Sequence, residues 1–335
     1  MVVVRDRATA RAKRTLAAWF TASWLAKYRA HTFSDDDILA NCFVYVFFRR
    51  GVVRFDPDCF LVVGTYRLRG DAVRQPLEWA LRAGYRAVDS AAGYQNEEQV
   101  GQVLRDYSKA NGNTAVFVTT KLSPREHGLE RAYSAIVRSH GNLGLGAAPI
   151  DLVLVHWPGQ YGIDGGSAEN ARLRAESWLA LQRAQREGLV RHIGVSNYTI
   201  GHLEEIVASG QAKPSVNQVE CHPLFPQREL KAYCDRHGIV LQAYASFGSD
   251  GSLIDHPLVV EAARLAGCKP NHVLLRWALD RGIPVIPKSA HRERIEDNLR
   301  VGTMEPLPAE ATRLLDSIAK VEGERKLCWD PVAVK

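Results

Sequence analysis

Residues 84–107 read GYRAVDSAAGYQNEEQVGQVLRDY, and this stretch shows the pattern that organises most of the chain. The short apolar run Arg86–Asp89 is typical of a buried strand, whereas Glu97–Tyr107 repeats apolar residues at helical spacing. The same exchange of strand and helix recurs from about Cys59 onward. Regular alternation of this kind predicts a parallel sheet whose strands are joined by helices.

Eight such units are visible in the sequence. The predicted strands are Phe60–Gly64, Arg86–Asp89, Ala115–Lys121, Ile150–His156, His192–Val195, Ser215–Glu220, Val240–Tyr244 and Pro284–Pro287. The predicted helices include Ala72–Ala83, Glu97–Tyr107, Glu126–His140, Ala171–Glu187 and Pro257–Ala266. Eight units in roughly 245 residues fit an α/β fold of the (β/α)8 TIM-barrel type, which has about 250 residues.

A doubly wound sheet is the competing architecture, and it would carry a glycine-rich turn after its first strand. Residues 66–70, YRLRG, offer no such turn. The glycine cluster at 141–146, GNLGLG, has the wrong spacing and follows a helix, so we interpret it as a loop.

Charge is distributed unevenly along the 335 residues. The chain carries 43 Lys and Arg against 37 Asp and Glu, but residues 1–33 hold seven cations and one anion, which leaves 36 of each sign in residues 34–335. A charge-balanced body does not favour a nucleic-acid surface. Hydrophobic and charged fractions of 46% and 24% are typical of soluble globular proteins.

Six cysteines occur without a CxxC pair. A zinc ribbon, another metal site or a thioredoxin-type site is therefore not expected, and reduced thiols fit a cytoplasmic location.

Residues 1–55 differ from the rest and are predicted to be an N-terminal extension of a catalytic domain at 56–335. The basic stretch Arg5–Arg14 followed by the apolar Leu16–Ala26 has the order of a signal peptide and also resembles an organelle transit peptide. Two other interpretations of these residues are a disordered extension and a misassigned start of the reading frame. The second apolar run, Ile38–Phe48, has 11 residues. A membrane span needs about 20, so no span is expected.

Polar and aromatic residues lie at or near the C-terminal ends of seven of the eight predicted strands. They are Asp89, Lys121, His156, Ser196 with Asn197, Gln218, Tyr244, and Lys288 with Ser289. Taken singly, Asp89 could cap a helix, Lys121 could reach solvent along an apolar surface, and His156 could be a hydrogen-bonded core residue. Active sites of such barrels lie at the C-terminal ends of the strands, so the whole set indicates a functional site.

Three of these residues, together with Tyr94, suggest a reaction. A buried Lys121 beside Tyr94 would lower the pKa of the tyrosine, and Asp89 would keep that lysine charged. Tyr94 could then give a proton to a developing alkoxide, while His156 orients the carbonyl oxygen. The set is suited to reducing a carbonyl group with hydride from a cofactor.

The segments that carry these residues resemble the signatures of the aldo-keto reductases. They are GYRAVDSAAGYQNEEQVG at 84–101, DLVLVHWP at 151–158, GVSN at 194–197, NQVECHP at 217–223 and IPKS at 286–289 with Arg294 and Asn298 after it. CWDP at 328–331 is similar to a C-terminal segment of many members, and the resemblance extends over residues 64–331.

The resemblance implies a role for each matching residue. Tyr94 would be the general acid, tuned by Lys121 and Asp89, with His156 as the carbonyl-orienting group. The cofactor would be held by Gly64 and Thr65 at the first strand, by Ser196, Asn197 and Gln218 at the nicotinamide carboxamide, and by Tyr244 stacked on the ring. Lys288, Ser289 and Arg294 suit a 2′-phosphate, and Asn298 would lie near the adenine, which favours NADPH over NADH.

Three departures from the family pattern affect barrel closure and the cofactor site. Residues 49–61 match poorly the hairpin that closes the bottom of the barrel. Ala245 stands where serine is common, so Ser246 and Ser249 are candidate replacements near the pyrophosphate. Asp297 replaces a longer glutamate near the adenine.

These patterns predict an NADPH-dependent reductase of aldehydes and ketones. The alternative is an NADPH-binding regulatory module with weak catalysis, and an unrelated barrel isomerase or lyase would leave the cofactor segments unexplained. Trp157 and Trp329 are candidates to line the substrate pocket, and the short loop 246–255 predicts an open one. The resemblance favours a monomer, and the sequon at 197–199 would be covered by cofactor.

Overall fold

The computed structural model describes residues 60–112 and 114–335. The predicted extension 1–55 with its two apolar runs, Cys42, Cys59 and residues 49–59 of the atypical lead all lie outside the described residues. Of the described residues, 60–302 and 306–335 belong to one compact unit.

Seven short strands form one parallel sheet in sequence order. They are β1 (Val63–Gly64), β2 (Ala87–Asp89), β3 (Phe117–Leu122), β4 (Ile150–Val155), β5 (Val190–Ser196), β6 (Val216–Glu220) and β7 (Val240–Tyr244). The β1–β2 register pairs Gly64 with Asp89, and the β5–β6 register pairs Ser196 with Gln218. The predicted site residues therefore lie at matching levels on neighbouring strands.

The predicted eighth strand, Pro284–Pro287, closes the sheet. Val285 bridges Leu61 on one side and Ala243 on the other, both in parallel. The amide of Val285 donates to the carbonyl of Phe60 at 2.9 Å, and Ala243 donates to Pro284 at 2.8 Å. Proline has no N–H to donate, so the two prolines restrict the segment to bridges instead of a regular strand. With its helices, the closed sheet is the (β/α)8 barrel that the alternation predicts.

Ten α-helices occur in the described part of the chain. They are α1 (Arg74–Ala83), α2 (Glu97–Ala110), α3 (Leu129–Leu143), α4 (Glu169–Arg186), α5 (Ile200–Ala208), α6 (Arg228–His237), α7 (Pro257–Ala266), α8 (Pro270–Leu279), α9 (Arg292–Leu299) and α10 (Ala309–Glu322). Short 3-10 turns lie at Gly70–Val73, Ala92–Tyr94, Ser252–Asp255 and Arg300–Thr303.

The glycine-rich stretch 141–146 corrects one expectation. Residues 141–143 form the last part of α3, and the loop begins at Gly144. Gly144 has φ +60°, the left-handed conformation in which glycine commonly ends a helix. The loop interpretation therefore holds only for the second half of the stretch.

The barrel interior is apolar below the strand ends. Ala87, Phe117, Leu152, Leu154 and Val216 pack there together with Val62 and Ile286. Among the described residues, no helix is both long and apolar enough to cross a bilayer, and no group of three or more potential metal ligands occurs. Cys221, Cys234, Cys268 and Cys328 are free thiols.

Candidate active site

A buried ion pair lies at the ends of β2 and β3. Lys121 Nζ lies 2.5 Å from Asp89 Oδ1, and the two side chains are 1% and 5% exposed. Lys121 also donates to the carbonyl of Ser90 at 3.0 Å. Burying a charge is costly unless it is paired and hydrogen-bonded, and both conditions hold for this lysine.

Tyr94 lies beside that pair, in the 3-10 turn that follows β2. Lys121 Nζ is 3.3 Å from Tyr94 Oη and 5.0 Å from the centre of the tyrosine ring. The rings of Tyr66 and His156 lie 5.2 and 5.7 Å from it, centre to centre. Tyr94 stays partly exposed, so its hydroxyl can reach a substrate.

The pKa of Tyr94 is not lowered in the protein alone, contrary to the sequence expectation. Burial raises the pKa of Tyr94 well above its usual range, and the negative charge of Asp89 adds to the rise. Burial is the larger of these two effects. Tyr94 is therefore a neutral hydroxyl that can donate a proton.

His156 follows β4 and is electrically neutral. Burial, assisted by the charge of Lys121, lowers the pKa of His156 to about 3. Its Nδ1 atom is buried without a hydrogen-bond partner among the described residues. A neutral imidazole carries one N–H, which is enough to donate to a carbonyl oxygen.

The predicted carboxamide-binding residues meet at the ends of β5, β6 and β7. Ser196 Oγ donates to the carbonyl of Gln218 at 2.8 Å, and Asn197 Nδ2 donates to the carbonyl of His156 at 3.0 Å. Tyr244 Oη donates to Asn197 Oδ1 at 2.7 Å. Asn197 and Tyr198 are buried and Thr199 is half-buried, so the acceptor residue of the sequon is poorly accessible.

Comparison with known proteins agrees with this geometry. A sequence model of the aldo/keto reductase family matches residues 61–320. The chain belongs to the aldo/keto reductase family. It is 35% identical to the 9,11-endoperoxide prostaglandin H2 reductase of Trypanosoma cruzi, over 81% of this chain and 90% of that protein. It is 33% identical to the glycerol 2-dehydrogenase (NADP(+)) of Saccharomyces cerevisiae, over 81% and 92%.

Solved structures give the same family. A crystal structure of an aldo-keto reductase from a Medee basin deep-sea metagenome matches with a TM-score of 0.73 and 31% identity, over 82% of this chain and 96% of that one. This aldo/keto reductase is accordingly an oxidoreductase of carbonyl compounds and alcohols.

The strand ends of this aldo/keto reductase also fit a bound dinucleotide. Ser246 Oγ is buried without a partner among the described residues, which leaves it able to bind a ligand oxygen. A Cβ on Gly64 would lie 3.0 Å from Ile286 Cγ2, a tight contact that only a small shift of that side chain would relieve. Thr65 instead uses its hydroxyl internally, donating to the carbonyl of Asp89 at 2.9 Å.

In this aldo/keto reductase, the residues predicted to bind the 2′-phosphate lie just before and within α9, whereas Ser249, predicted near the pyrophosphate, lies after β7. Lys288, Arg294 and Ser249 are exposed, whereas Ser289 is nearly buried and bonds the backbone of His291. Burial and the nearby charge of Arg67 lower the pKa of Lys288. Lys288 and Arg67 are thus two cations close enough to interact, and such a pair is suited to a phosphate.

Asp297 and Asn298 are tied to helix α8. Asp297 accepts from Lys269 Nζ at 2.8 Å and lies 3.0 Å from His272 Nε2, and Asn271 donates to Asn298 Oδ1 at 2.9 Å. Their part in adenine binding stays a prediction, and their visible contacts hold α9 in place.

The C-terminal tail, residues 323–335, lies along the ends of β4 to β7. Trp329 is 80% exposed and contacts Trp157, with ring centres 6.2 Å apart. The tail is anchored by Glu220, which accepts from Lys326 Nζ at 2.7 Å and from the backbone amides of Leu327 and Cys328.

Sequence reasoning missed Gln242, Glu220 and Arg67 at this site. Gln242 and Glu220 are buried polar residues on strands, and a polar residue in a buried strand pattern is a usable signal. No sequence pattern singles out Arg67, because only the fold brings it close to Lys288.

Proposed function

We propose that this protein reduces aldehydes and ketones to alcohols with NADPH, using Tyr94 as the general acid. The observation that carries the proposal is the contact of the buried Lys121–Asp89 pair with Tyr94, with His156 beside the tyrosine ring. A regulatory module that only binds cofactor would have no need of a partly exposed tyrosine held at a buried lysine.

Four residues would act at or near the carbonyl group, each in a different role. Tyr94 Oη donates its proton to the carbonyl oxygen as negative charge develops there, and His156 donates a hydrogen bond to the same oxygen. As Tyr94 loses the proton, Lys121 Nζ at 3.3 Å stabilises the phenolate. Asp89 holds that ammonium group in position.

The chemistry that NADPH would supply when bound is the hydride of nicotinamide C4, for the carbonyl carbon. Ser196, Asn197 and Gln218 would hold its carboxamide, and Tyr244 would stack on the ring. Ser246 would bind the pyrophosphate, and Lys288 with Arg294 would bind the 2′-phosphate that distinguishes NADPH from NADH. Trp157 and Trp329 would line the substrate pocket, and the short loop 246–255 favours an open pocket for small or medium carbonyl substrates. A monomer in the cytoplasm is part of the proposal.

Tyr94→Phe tests the function directly. The variant removes the acid but keeps the ring, so we expect NADPH-dependent reduction of a reactive aromatic aldehyde to fall by about 10²–10⁴-fold. Tyr66→Phe removes the same atom from the neighbouring ring and should retain most activity. Undiminished turnover by Tyr94→Phe would refute the assignment, and tight NADPH binding without wild-type turnover would favour the regulatory module.

A further inference from the structure

The side-chain amide of Gln218 has two hydrogen-bond acceptors in the barrel. Its Nε2 atom lies 2.8 Å from Asp89 Oδ2 and 3.0 Å from Gln242 Oε1. All three side chains are at least nine-tenths buried. Asp89 thus binds Lys121 through one oxygen and Gln218 through the other.

These contacts fix which way the amide points. A carboxylate paired with lysine only accepts hydrogen bonds, so the Gln218 atom that faces Asp89 must be the NH2 group. The Gln242 atom that faces the same nitrogen must then be its oxygen. Both Gln218 N–H groups are used, and Gln218 Oε1 makes no hydrogen bond within the described residues.

We propose that Gln242 is a positioning residue that holds the Gln218 amide so that Oε1 faces the nicotinamide carboxamide. The inference rests on the proposed cofactor site. One Gln218 N–H bound to Asp89 leaves the amide free to tilt about that bond. The second N–H, bound to Gln242 on the neighbouring strand β7, removes that freedom, and Oε1 is then presented as an acceptor for the carboxamide N–H.

If Gln242 positions Gln218, a Gln242 variant should lose affinity only for a cofactor that carries a carboxamide N–H. Gln242→Met keeps the length of the side chain and removes the acceptor oxygen. We expect this variant to bind NADP+ about threefold to tenfold more weakly, the range for one neutral hydrogen bond. The 3-acetylpyridine analogue of NADP+ carries a carbonyl but no N–H, so its dissociation constant should be the same for variant and wild type.

The dissociation constants are measured by titrating the full-length protein with each cofactor and following the quenching of tryptophan fluorescence. Gln218→Met and the double variant Gln218→Met/Gln242→Met complete a double-mutant cycle. The double variant should bind NADP+ no more weakly than Gln218→Met alone, because Gln242 acts through Gln218. Gln242→Asn, whose shorter side chain withdraws the oxygen, is the second variant if Gln242→Met does not fold.

The outcomes separate the two proposals. Wild-type protein that binds neither cofactor would overturn the cofactor site and the inference together. Wild-type binding with an unchanged Gln242→Met affinity would overturn only the role of Gln242. An equal loss with NADP+ and the acetylpyridine analogue would show that Gln242 merely supports the barrel, which also overturns the inference.

Discussion

Asp89 is the residue on which the polar network at the barrel mouth depends. Its two carboxylate oxygens bind Lys121 and Gln218, so one side chain supports both the proton donor and the predicted carboxamide site. Removing it would leave a buried ammonium group without its counter-charge.

Asp89→Ala should therefore destabilise the protein by about 3–5 kcal/mol, the range for breaking a buried ion pair. Asp89→Ala combined with Lys121→Met removes both charges and should recover much of that loss. Urea unfolding followed by circular dichroism measures the two free energies. A cost below about 1 kcal/mol for Asp89→Ala, with the double variant no better, would contradict the account.

For single residues, the sequence predicts which side chains form the site better than it predicts their pKa values. Tyr94, Lys121, Asp89 and His156 are predicted as one group, and the structure brings them together. The low pKa expected for Tyr94 is not found, because the sequence does not reveal how far burial and the negative charge of Asp89 favour the neutral hydroxyl. Both effects depend on distances of a few ångströms.

At the scale of elements, helices α2 and α3 approach closely at Gly101. A Cβ built on Gly101 would lie 2.1 Å from the carbonyl oxygen of Leu143, a backbone atom that cannot move without shifting the end of α3. The space for this contact exists only because the residue is glycine.

Gly101→Ala should cost about 1–3 kcal/mol or more, since overpacking forces a backbone shift. Gly141→Ala is the matched control: it lies in α3, and its Cβ would meet nothing within 4 Å. That variant should be neutral or up to about 1 kcal/mol more stable, because alanine favours helix. Thermal unfolding of both variants measures the difference, and equal melting temperatures would refute it.

Glu220 anchors the C-terminal tail to β6. Burial alone would raise the pKa of Glu220, but hydrogen bonds from His222 and Lys326 bring it down to about 2. A carboxyl whose pKa is lower folded than unfolded adds stability above its unfolded pKa, near 4.3. That stability is lost as the pH falls from there towards 2.

Glu220→Gln should cost on the order of 2–3 kcal/mol near pH 6, with the difference from wild type shrinking as the pH falls to 3. Hydrogen exchange should show residues 325–329 opening more readily in the variant. Glu324→Gln is the control, because Glu324 is an exposed carboxyl paired with Arg228. This variant should leave both the stability and the hydrogen exchange of residues 325–329 unchanged. A difference from wild type that does not depend on pH would argue against a charged anchor.

The order and type of the elements follow from sequence periodicity, because each buried strand must be apolar and each helix must turn one apolar face inward. The end of α3 and the bridged form of 284–287 do not follow, because they depend on a glycine conformation and on which neighbours a proline-bearing segment meets. The contacts of the tail with Glu220 join residues more than 100 positions apart, so no local pattern predicts them.

On the scale of the whole molecule, two positive charges lie close together at the end of the barrel that carries the candidate site. Residues 34–335 are charge-balanced overall, yet Arg67, after β1, lies near Lys288, after the segment 284–287. A ligand with an extra phosphate should therefore stabilise the entire fold more than the same ligand without it.

A ligand that binds only the folded state adds about 2.7 kcal/mol at 100 times its dissociation constant. For a chain of this size that corresponds to several degrees in melting temperature. NADPH should raise the melting temperature clearly, and NADH at equal concentration should raise it less, because it lacks the 2′-phosphate. In Arg294→Ala, the rise in melting temperature with NADPH should fall towards the rise with NADH. Arg264 is an exposed arginine of α7, and Arg264→Ala should leave the rise with NADPH unchanged. Equal gains from both cofactors in the wild type would remove the argument for NADPH, even if the enzyme still reduced carbonyl groups.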